Sequence, residues 1–395
     1  MALGALIAAY QEDDQEGLRA LLPLAGQSLI EYQARCVAAA GAAPILVLVE
    51  RIPAGLNEAF ERLRQDGVNV IAVSDGIEAA SRFEAGASVL LLANGIVPPL
   101  RLIIELADEA QPVVVTVADD EEHRNYERID AEARWAGIAI IDGQILASTA
   151  AMLGDWDLQS TLLRRTLQEG AERLPVSAQT GEPLLVDRAE QLGAFERAMI
   201  LSSRGERRDL PSRFLFPPIE DLATERLLEA PIRASWLVGA ALGLSLLAAA
   251  AFLKGWPLIG LACLLLSTPL DLVASRIATL RLRPLATNML SQRLLWPAAG
   301  IALISLGFWA WGAGGGWGAL LAAIATAAFA QAARVEAPAT GLSGEIWLFS
   351  RRNAIFAAIP FAIFDAWNLY LAAMALHASI SFFLLQHVHH RVARN

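Results

Sequence analysis

Hydrophobic and polar positions follow two different patterns along this chain, and the change falls at Pro231. Before it, short apolar runs alternate with charged, amphipathic stretches. After it, the run from Ala234 to Leu253 carries no charged residue, and similar runs follow almost to the C-terminus. A helix needs about 20 apolar residues to cross roughly 30 Å of hydrocarbon. The pattern therefore predicts a soluble domain followed by a polytopic membrane domain.

In the first part, the pattern predicts strands over Gly4–Ala9, Pro44–Val49, Val68–Val73, Ser88–Leu92, Pro112–Val117 and Gly137–Ile141. Helical periodicity lies between them, at Leu29–Ala40, Leu56–Gln65, Leu100–Asp108 and Leu158–Glu169. Strands that are apolar throughout are buried on both faces, as in a mostly parallel sheet covered by helices. Residues 1–175 thus read as an α/β domain with a doubly wound sheet, whose ligands would sit in loops at the strands' carboxyl ends, after Ala9, Val49, Val73 and Leu92. The N-terminus MALGALIAAY has no basic segment and no cleavage site, so it reads as the first strand rather than a signal peptide.

Residues 176–230 read as an Arg- and Pro-rich connector in which Arg204, Arg207, Arg208 and Arg213 suit the anionic headgroups of a cytoplasmic leaflet. In residues 231–395, an all-α membrane domain, the expected spans are Ala234–Leu253, Gly255–Leu270, Leu294–Trp311, Trp317–Ala333 and two helices within Asn353–Gln386. Six spans are preferred over five, with Asp365 marking the last turn. Arginines collect between spans two and three (Arg276, Arg281, Arg283, Arg293) and after span four (Arg334, Arg351, Arg352), whereas GAGGG carries no charge. That asymmetry puts the N-terminal domain, both Arg-rich loops and the C-terminus in the cytoplasm.

Charge sharpens the division. The net charge of −10 splits into −17 before Pro231 and +7 after it. So acidic a first half lacks the cations that phosphate neutralisation requires, which excludes nucleic acid as a partner. Cys36 and Cys263 fall in different halves, so no disulfide framework is expected. The single lysine, Lys254, among many arginines suggests a GC-rich bacterial source and hence the bacterial cytoplasmic (inner) membrane. Asp119, Asp120 and His123 are weighed as a metal site against a solvated charged loop, and the loop is preferred. His387, His389 and His390 read as interfacial anchors, and Trp236, Trp256, Trp296, Trp317 and Trp367 as an interfacial belt.

The order of elements, with the phrase LLPLAGQSLIEYQARCVAAAGAAPILVLV, resembles the sugar- and alcohol-phosphate nucleotidyltransferases over roughly residues 4–170. In that family, the resemblance implies, a Gly-rich loop after the first strand wraps a triphosphate, lysines contact it, and an Asp after a later strand binds metal. Here the loop is YQEDDQEGLRA, with Glu12, Asp13, Asp14 and Glu16 where backbone amides should hold phosphate. Gln27 stands at a lysine position and Asn94 at the metal-binding Asp. Arg19 is a candidate phosphate contact, weighed against a plain surface arginine, which is the preferred reading. Arg19 and Asn94 are the nucleotide-site candidates.

The membrane half carries TPLDLVASRIATLRLRP, which resembles the CDP-alcohol phosphotransferase motif D-x2-D-G-x2-A-R-x8-G-x3-D-x3-D. In working members four acids hold two metals, which polarise the pyrophosphate. Asp271 matches the second acid and Arg276 the arginine. Thr268 replaces the first acid, Leu272 and Ser275 replace the glycine and alanine, and Leu285, Met289 and Arg293 fall at the later glycine and acids. The fusion resembles bifunctional enzymes that activate inositol phosphate with CTP and transfer it in the membrane, with both motif sets degenerate.

The expectation is an integral membrane protein of the phospholipid head-group biosynthesis type, acting as a catalytically degenerate scaffold, binding partner or regulator. Its rivals are an active CDP-alcohol phosphotransferase with altered metal ligands, drawing on Glu336, Glu345 or Asp365, and a structural subunit of a larger membrane complex. Asp271 and Arg276 are the catalytic candidates, weighed against an i, i+5 pair that anchors a helix end. No cofactor is expected, and Mg²⁺ only if the enzyme reading holds. Expected partners are membrane lipids and a homodimer mate or another membrane protein.

Overall fold

In the computed structural model, placement is described for all residues except Met1, 13–16, Ala85, 153–156, 178–180, 204–208, Glu229, Pro231, 284–289, 341–344 and 393–395. The chain forms two compact units: Met1–Ala198 with Arg281–Arg283, and Met199–Leu280 with Pro284–Asn395. The division falls inside the segment 176–230.

The first unit is built on a seven-stranded sheet: β1 Leu3–Ala8, β2 Ile45–Leu48, β3 Val70–Val73, β4 Ser88–Leu92, β5 Val113–Ala118, β6 Ala133–Asp142 and β7 Glu172–Pro175. Their order is β7-β5-β6-β4-β1-β2-β3, and only β6 runs antiparallel to its neighbours. The helices are α1 Leu29–Ala39, α2 Ala54–Gln65, α3 Gly76–Ser81, α4 Leu100–Ala107, α5 Gly143–Met152, α6 Leu158–Gln168 and α7 Ala189–Ser202. The six expected strands and four expected helices are all present. Strand β7 and helices α3, α5 and α7 were not anticipated: β7 and α3 are too short to show periodicity, α5 and α7 lack a sharply apolar face, and α7 lies in the segment expected to be a connector.

Alternation explains the two covered faces. Leu6, Leu46, Leu91 and Ile141 form one core cluster with Ala79 of α3, Leu146 of α5 and Leu162 of α6. The residues between them in sequence, Ile7, Leu90, Leu92 and Ile140, point to the other face and are equally buried. Helix α1, with α2 and α4 each packed against it, supplies that second layer.

Helix α1 starts where its sequence says it should. The Ser28 side chain caps it, and the Glu31 carboxylate accepts from the Ser28 backbone N–H and hydroxyl, both at 2.9 Å. Glu31 is also fully buried, and it survives as an anion because it is surrounded by cations. Arg62 donates to both of its oxygens at 3.1 and 3.0 Å, and Arg35 lies 3.4 Å away. Arg283, which belongs to this unit, reaches Glu31 at 3.5 Å and Asp66 at 2.9 Å.

The second unit is all helical: α8 Leu210–Phe214, α9 Pro217–Leu228, α10 Ala234–Leu253, α11 Pro257–Leu280, α12 Leu290–Ala310, α13 Gly316–Thr340, α14 Arg351–Ile363 and α15 Trp367–Val392. Among the described residues, four stretches are long and apolar enough to cross a membrane: Ala234–Leu253, Pro257–Leu280, Arg293–Ala337 and Trp367–His390. The third stretch is 45 residues long, yet it is not one rod. It breaks at Trp311–Gly315, where Gly314 has φ 102°, and α12 then packs against α13. Glycine alone tolerates that backbone without strain. Helix α14 has 13 residues, short for a span of its own. Asp365, at φ 51°, lies in the turn between α14 and α15, where the sequence put it.

Phe252, Leu264, Leu306, Ala323, Ile355 and Leu371 share one core, drawn from every helix from α10 to α15. Trp367 belongs to that core too, stacked edge-on against Trp309, so it is no part of an exposed belt. Trp236, Trp256 and Trp317 are exposed, as an interfacial role requires.

Glu31→Gln should destabilise the first unit by about 3–5 kcal/mol, the usual cost of leaving buried cations without their anion. Burial alone would push the Glu31 carboxyl up, but the hydrogen bonds from Arg62 and Ser28 outweigh it and hold the group below its ordinary value. Its contribution is therefore full above the unfolded pKa of about 4.3 and is lost as pH falls through the lower folded value. Urea unfolding at pH 7 and at pH 3 tests this: the gap between wild type and Glu31→Gln should narrow in acid. A gap that stays constant would reject the ion cluster as its source.

Candidate functional site

At the carboxyl edge of the sheet, each expected nucleotide-site residue already has a partner within the fold. Asn94 follows β4 and is buried, and its side-chain oxygen accepts from the backbone N–H groups of Tyr10 at 2.9 Å and Gln11 at 3.2 Å. Those amides come just after Ala9, whose own N–H still bonds the Leu48 carbonyl, where the resemblance expects a phosphate-wrapping loop to begin. The Tyr10 hydroxyl donates to Asp157 at 2.7 Å. Burial first, and Asp157 second, push that phenol far above its ordinary pKa.

Arg19 donates to the Glu12 carbonyl at 2.9 Å and to the Gln11 side chain at 3.2 Å, so it braces the same loop. The Glu12 carboxylate pairs with Arg51. Asp13, Asp14 and Glu16 lie outside the described residues. Gln27, at the lysine position, accepts from Arg35.

The acid-rich stretch after β5 does not gather into a metal site. Asp119 faces Arg128 and Arg134, while His123 bonds Asp120 at 2.7 Å and lies 3.5 Å from Glu182. Among the described residues, no group of three or more His, Cys, Asp or Glu side chains could hold a metal ion.

The second unit concentrates its charge around Asp271 on α11. This helix contains Pro269, which has no N–H to donate to the Leu265 carbonyl. The Thr268 hydroxyl donates to that carbonyl instead, at 2.7 Å. The residue at the motif's first acid is thus buried and tied to its own helix. One turn on, Asp271 meets two guanidinium groups. Arg352 donates to its Oδ2 at 2.7 Å, and Arg351 Nη2 lies 3.2 Å from the same oxygen.

Arg351 and Arg352 are the first residues of α14, whose cap is Ser350, accepting from the Asn353 N–H. A helix N-terminus disfavours cations, so this placement has to be stabilised from outside the helix. Asp271 supplies one anion and Asp209 the other. The Asp209 Oδ2 accepts from Arg352 at 2.7 Å while its Oδ1 caps α8 by accepting from Ser212 at 2.9 Å. Asn353 adds a tie, accepting from the Leu210 N–H at 3.0 Å.

These residues border a cavity of about 780 Å³, which also touches Arg334, Glu345, Ser350 and Ser381. Beside it lies a second cavity of about 340 Å³, lined by Leu264, Ile304, Ala327, Ile355 and other apolar groups.

Asp271 and Arg276 are not brought together. Arg276 donates to Asp221 at 2.7 Å, to the Ser203 hydroxyl at 3.0 Å and to the Ile200 carbonyl, so the i, i+5 pair does not form. Glu345 borders the Asp271 cavity; Glu336 pairs with His389 across α13 and α15. Leu285, Met289, Arg204, Arg207 and Arg208 lie outside the described residues. Sequence reasoning missed Asp209, and it took Arg351 and Arg352 only as orientation markers. The available signal was a Ser cap followed at once by two arginines, an unfavourable start for a helix without a nearby anion.

No family model matches the chain, and no curated protein matches it. Among solved structures, the chain is similar to one described as a glucose-1-phosphate thymidylyltransferase from Bacillus anthracis in complex with a sucrose. The identity is 13%, over 50% of this chain and 96% of that chain, with a TM-score of 0.40.

Asn94→Ala would leave two backbone N–H groups without an acceptor. It should lower the stability of the first unit by about 1–3 kcal/mol and raise hydrogen exchange at Tyr10 and Gln11. Unchanged exchange at both amides would show that Asn94 does not hold the loop.

Proposed function

We propose that this is an integral membrane protein of polar-lipid head-group metabolism that binds rather than transforms its ligand, with the bacterial cytoplasmic membrane as its location. The observation that carries this reading is the engagement of Asp271 by Arg351 and Arg352. The resemblance to CDP-alcohol phosphotransferases implies a pair of metals held by several carboxylates. The residues present do not fit that pair. The matching carboxylate faces two cations, the Thr268 hydroxyl is tied to the backbone, and an arginine aligns with the last acid.

The first unit supports the same reading from its own residues. Acceptance of the Tyr10 and Gln11 amides by Asn94 occupies donors that a triphosphate loop would offer, and a neutral amide is a weak ligand for Mg²⁺. A scaffold or regulatory role in lipid-head-group synthesis, with lipids and a second membrane protein or a second copy as partners, follows as part of this proposal. A transferase with altered ligands is the rival that one observation favours, since Glu345 and Asp209 border the same cavity as Asp271. Asp209 is engaged by Arg352 and by the cap of α8, which leaves that rival poorly supplied with metal ligands.

Purified protein in nanodiscs, given CDP-diacylglycerol or CDP-polyols with Mg²⁺ and a panel of alcohol acceptors, should show no turnover. Asp271→Asn should lower the melting temperature without abolishing any transfer. Turnover in the wild type that disappears in Asp271→Asn would overturn the reading. Calorimetry with CTP and Mg²⁺ should likewise give no specific binding, and micromolar affinity would restore the enzyme alternative.

The proposed topology has six crossings with both termini cytoplasmic, counting the 13-residue α14 as a short crossing; the reversal at Gly314 and the arginine asymmetry support it. In a Cys263→Ser background, Gly312→Cys should react with an impermeant maleimide in intact cells and Arg213→Cys only after permeabilisation. The reverse pattern would reject this orientation.

A further inference from the structure

We infer that the helical unit holds an anionic amphiphile: a phosphate monoester head on Arg351 and Arg352, with a single apolar chain in the chamber beside them. The inference deepens the proposed binding role and rests on it.

The two cavities share a wall. Trp296, Ala330, Phe349 and Arg351 line both the 780 Å³ polar cavity and the 340 Å³ apolar one. In the apolar chamber Arg351 is the only charged lining residue. Two polar groups of the lining are engaged elsewhere: Thr326 donates to the Ala322 carbonyl at 2.7 Å and Tyr370 to the Ala354 carbonyl at 3.1 Å. A volume of this size suits a small organic ligand or one hydrocarbon segment. A purely polar ligand would gain nothing from it, and a purely apolar one would leave the arginines as they are.

The head is identified by which polar atoms are still open. Arg351 is 8% exposed; its Nη1 has no hydrogen-bond partner within the chain, and its Nη2 meets only Asp271 Oδ2, at 3.2 Å and without hydrogen-bond geometry. The Arg352 Nε and the Asp271 Oδ1 are buried and open in the same way. Buried donors of this kind are costly and normally satisfied. The site therefore offers two unpartnered donors, Arg351 Nη1 and Arg352 Nε, a third in Arg351 Nη2 that a ligand oxygen would share with Asp271, and one acceptor.

A phosphate monoester supplies several acceptor oxygens to the guanidiniums, and a hydroxyl on phosphorus or on the neighbouring alcohol carbon can donate to Asp271 Oδ1. A fatty carboxylate has two acceptor oxygens and no hydroxyl, so it leaves Asp271 Oδ1 open. The bordering charges balance formally, Arg334, Arg351 and Arg352 against Asp209, Asp271 and Glu345. What attracts an anion is local: Asp209 and Asp271 converge on Arg352, whereas the outer nitrogens of Arg351 have Asp271 on one side only. The N-terminus of α14, a 13-residue helix, adds its dipole at the same point.

The full chain in nanodiscs of zwitterionic lipid tests this by native mass spectrometry and Trp fluorescence. The probes are an oleoyl lysophosphatidate, glycerol 3-phosphate, inorganic phosphate, oleate and a neutral monoacylglycerol. The lysophosphatidate should bind at least about tenfold more tightly than any other probe. Arg351→Gln should lose at least about tenfold of that affinity, and Arg351→Lys should recover part of it. Ala327→Phe, which fills the chamber, should weaken the lysophosphatidate but not glycerol 3-phosphate.

Equal binding of the neutral monoacylglycerol would overturn the head assignment, and equal binding of inorganic phosphate would overturn the chain. Absence of binding, or a folded Arg351→Gln with unchanged affinity, would overturn the whole inference. If Arg351→Gln does not fold, Arg351→Lys and Ala327→Phe still decide. CDP-alcohol turnover with lysophosphatidate binding intact would sink catalytic silence and spare this site. Silence without binding would do the opposite.

Discussion

The helical unit depends on one electrostatic constraint: two arginines open a helix, where the backbone dipole repels them, inside a largely apolar bundle. Arg351 and Arg352 can stay there only because Asp271 and Asp209 meet them. That requirement fixes α14 against α11 and α8 at the same time. The Asn353 tie to Leu210 and the capping of α8 by Asp209 act at the same junction. Removing either carboxylate would leave buried guanidinium charge without compensation, a larger penalty than the loss of a contact.

The architecture was legible because hydropathy reports it directly. The uncharged run Ala234–Leu253 coincides with α10, and the first unit's strands were visible as short apolar runs between amphipathic stretches. The span count was less so. Length and apolarity single out four stretches, and the reversal inside the longest depends on the backbone of Gly314 rather than on composition.

The candidate site was only half legible, for a different reason. Asp271 stood out as an acid in an apolar segment, but its chemistry is set by partners 80 and 81 residues further on and by Asp209 on a separate helix. Arg276 sits five positions from Asp271, yet turns to Asp221 and the Ile200 carbonyl. Asn94 was recognised as a missing metal ligand. That its oxygen closes the loop after β1 could not be read, because the two amides it accepts belong to residues more than 80 positions away.

Exchanging a metal pair for a pair of guanidiniums changes what an anion site can do. A divalent metal is a Lewis acid with exchangeable positions; it polarises a phosphoryl oxygen and can hold a nucleophile beside it. A guanidinium offers a planar fork of donors and no coordination site, so it recognises and orients a phosphate without activating an attacking group. In the proposed reading, Asp271 has correspondingly passed from ligand to counter-ion, holding the fork in place rather than a cation. Asn94 is a parallel case: where the resemblance expects a metal ligand, its side chain accepts from backbone amides. In that proposed reading, both positions keep a polar group where the resemblance expects one and take no part in catalysis. On the proposed reading, such a chain holds its ligand by a guanidinium fork and an adjoining chamber, and the chemistry falls to another protein.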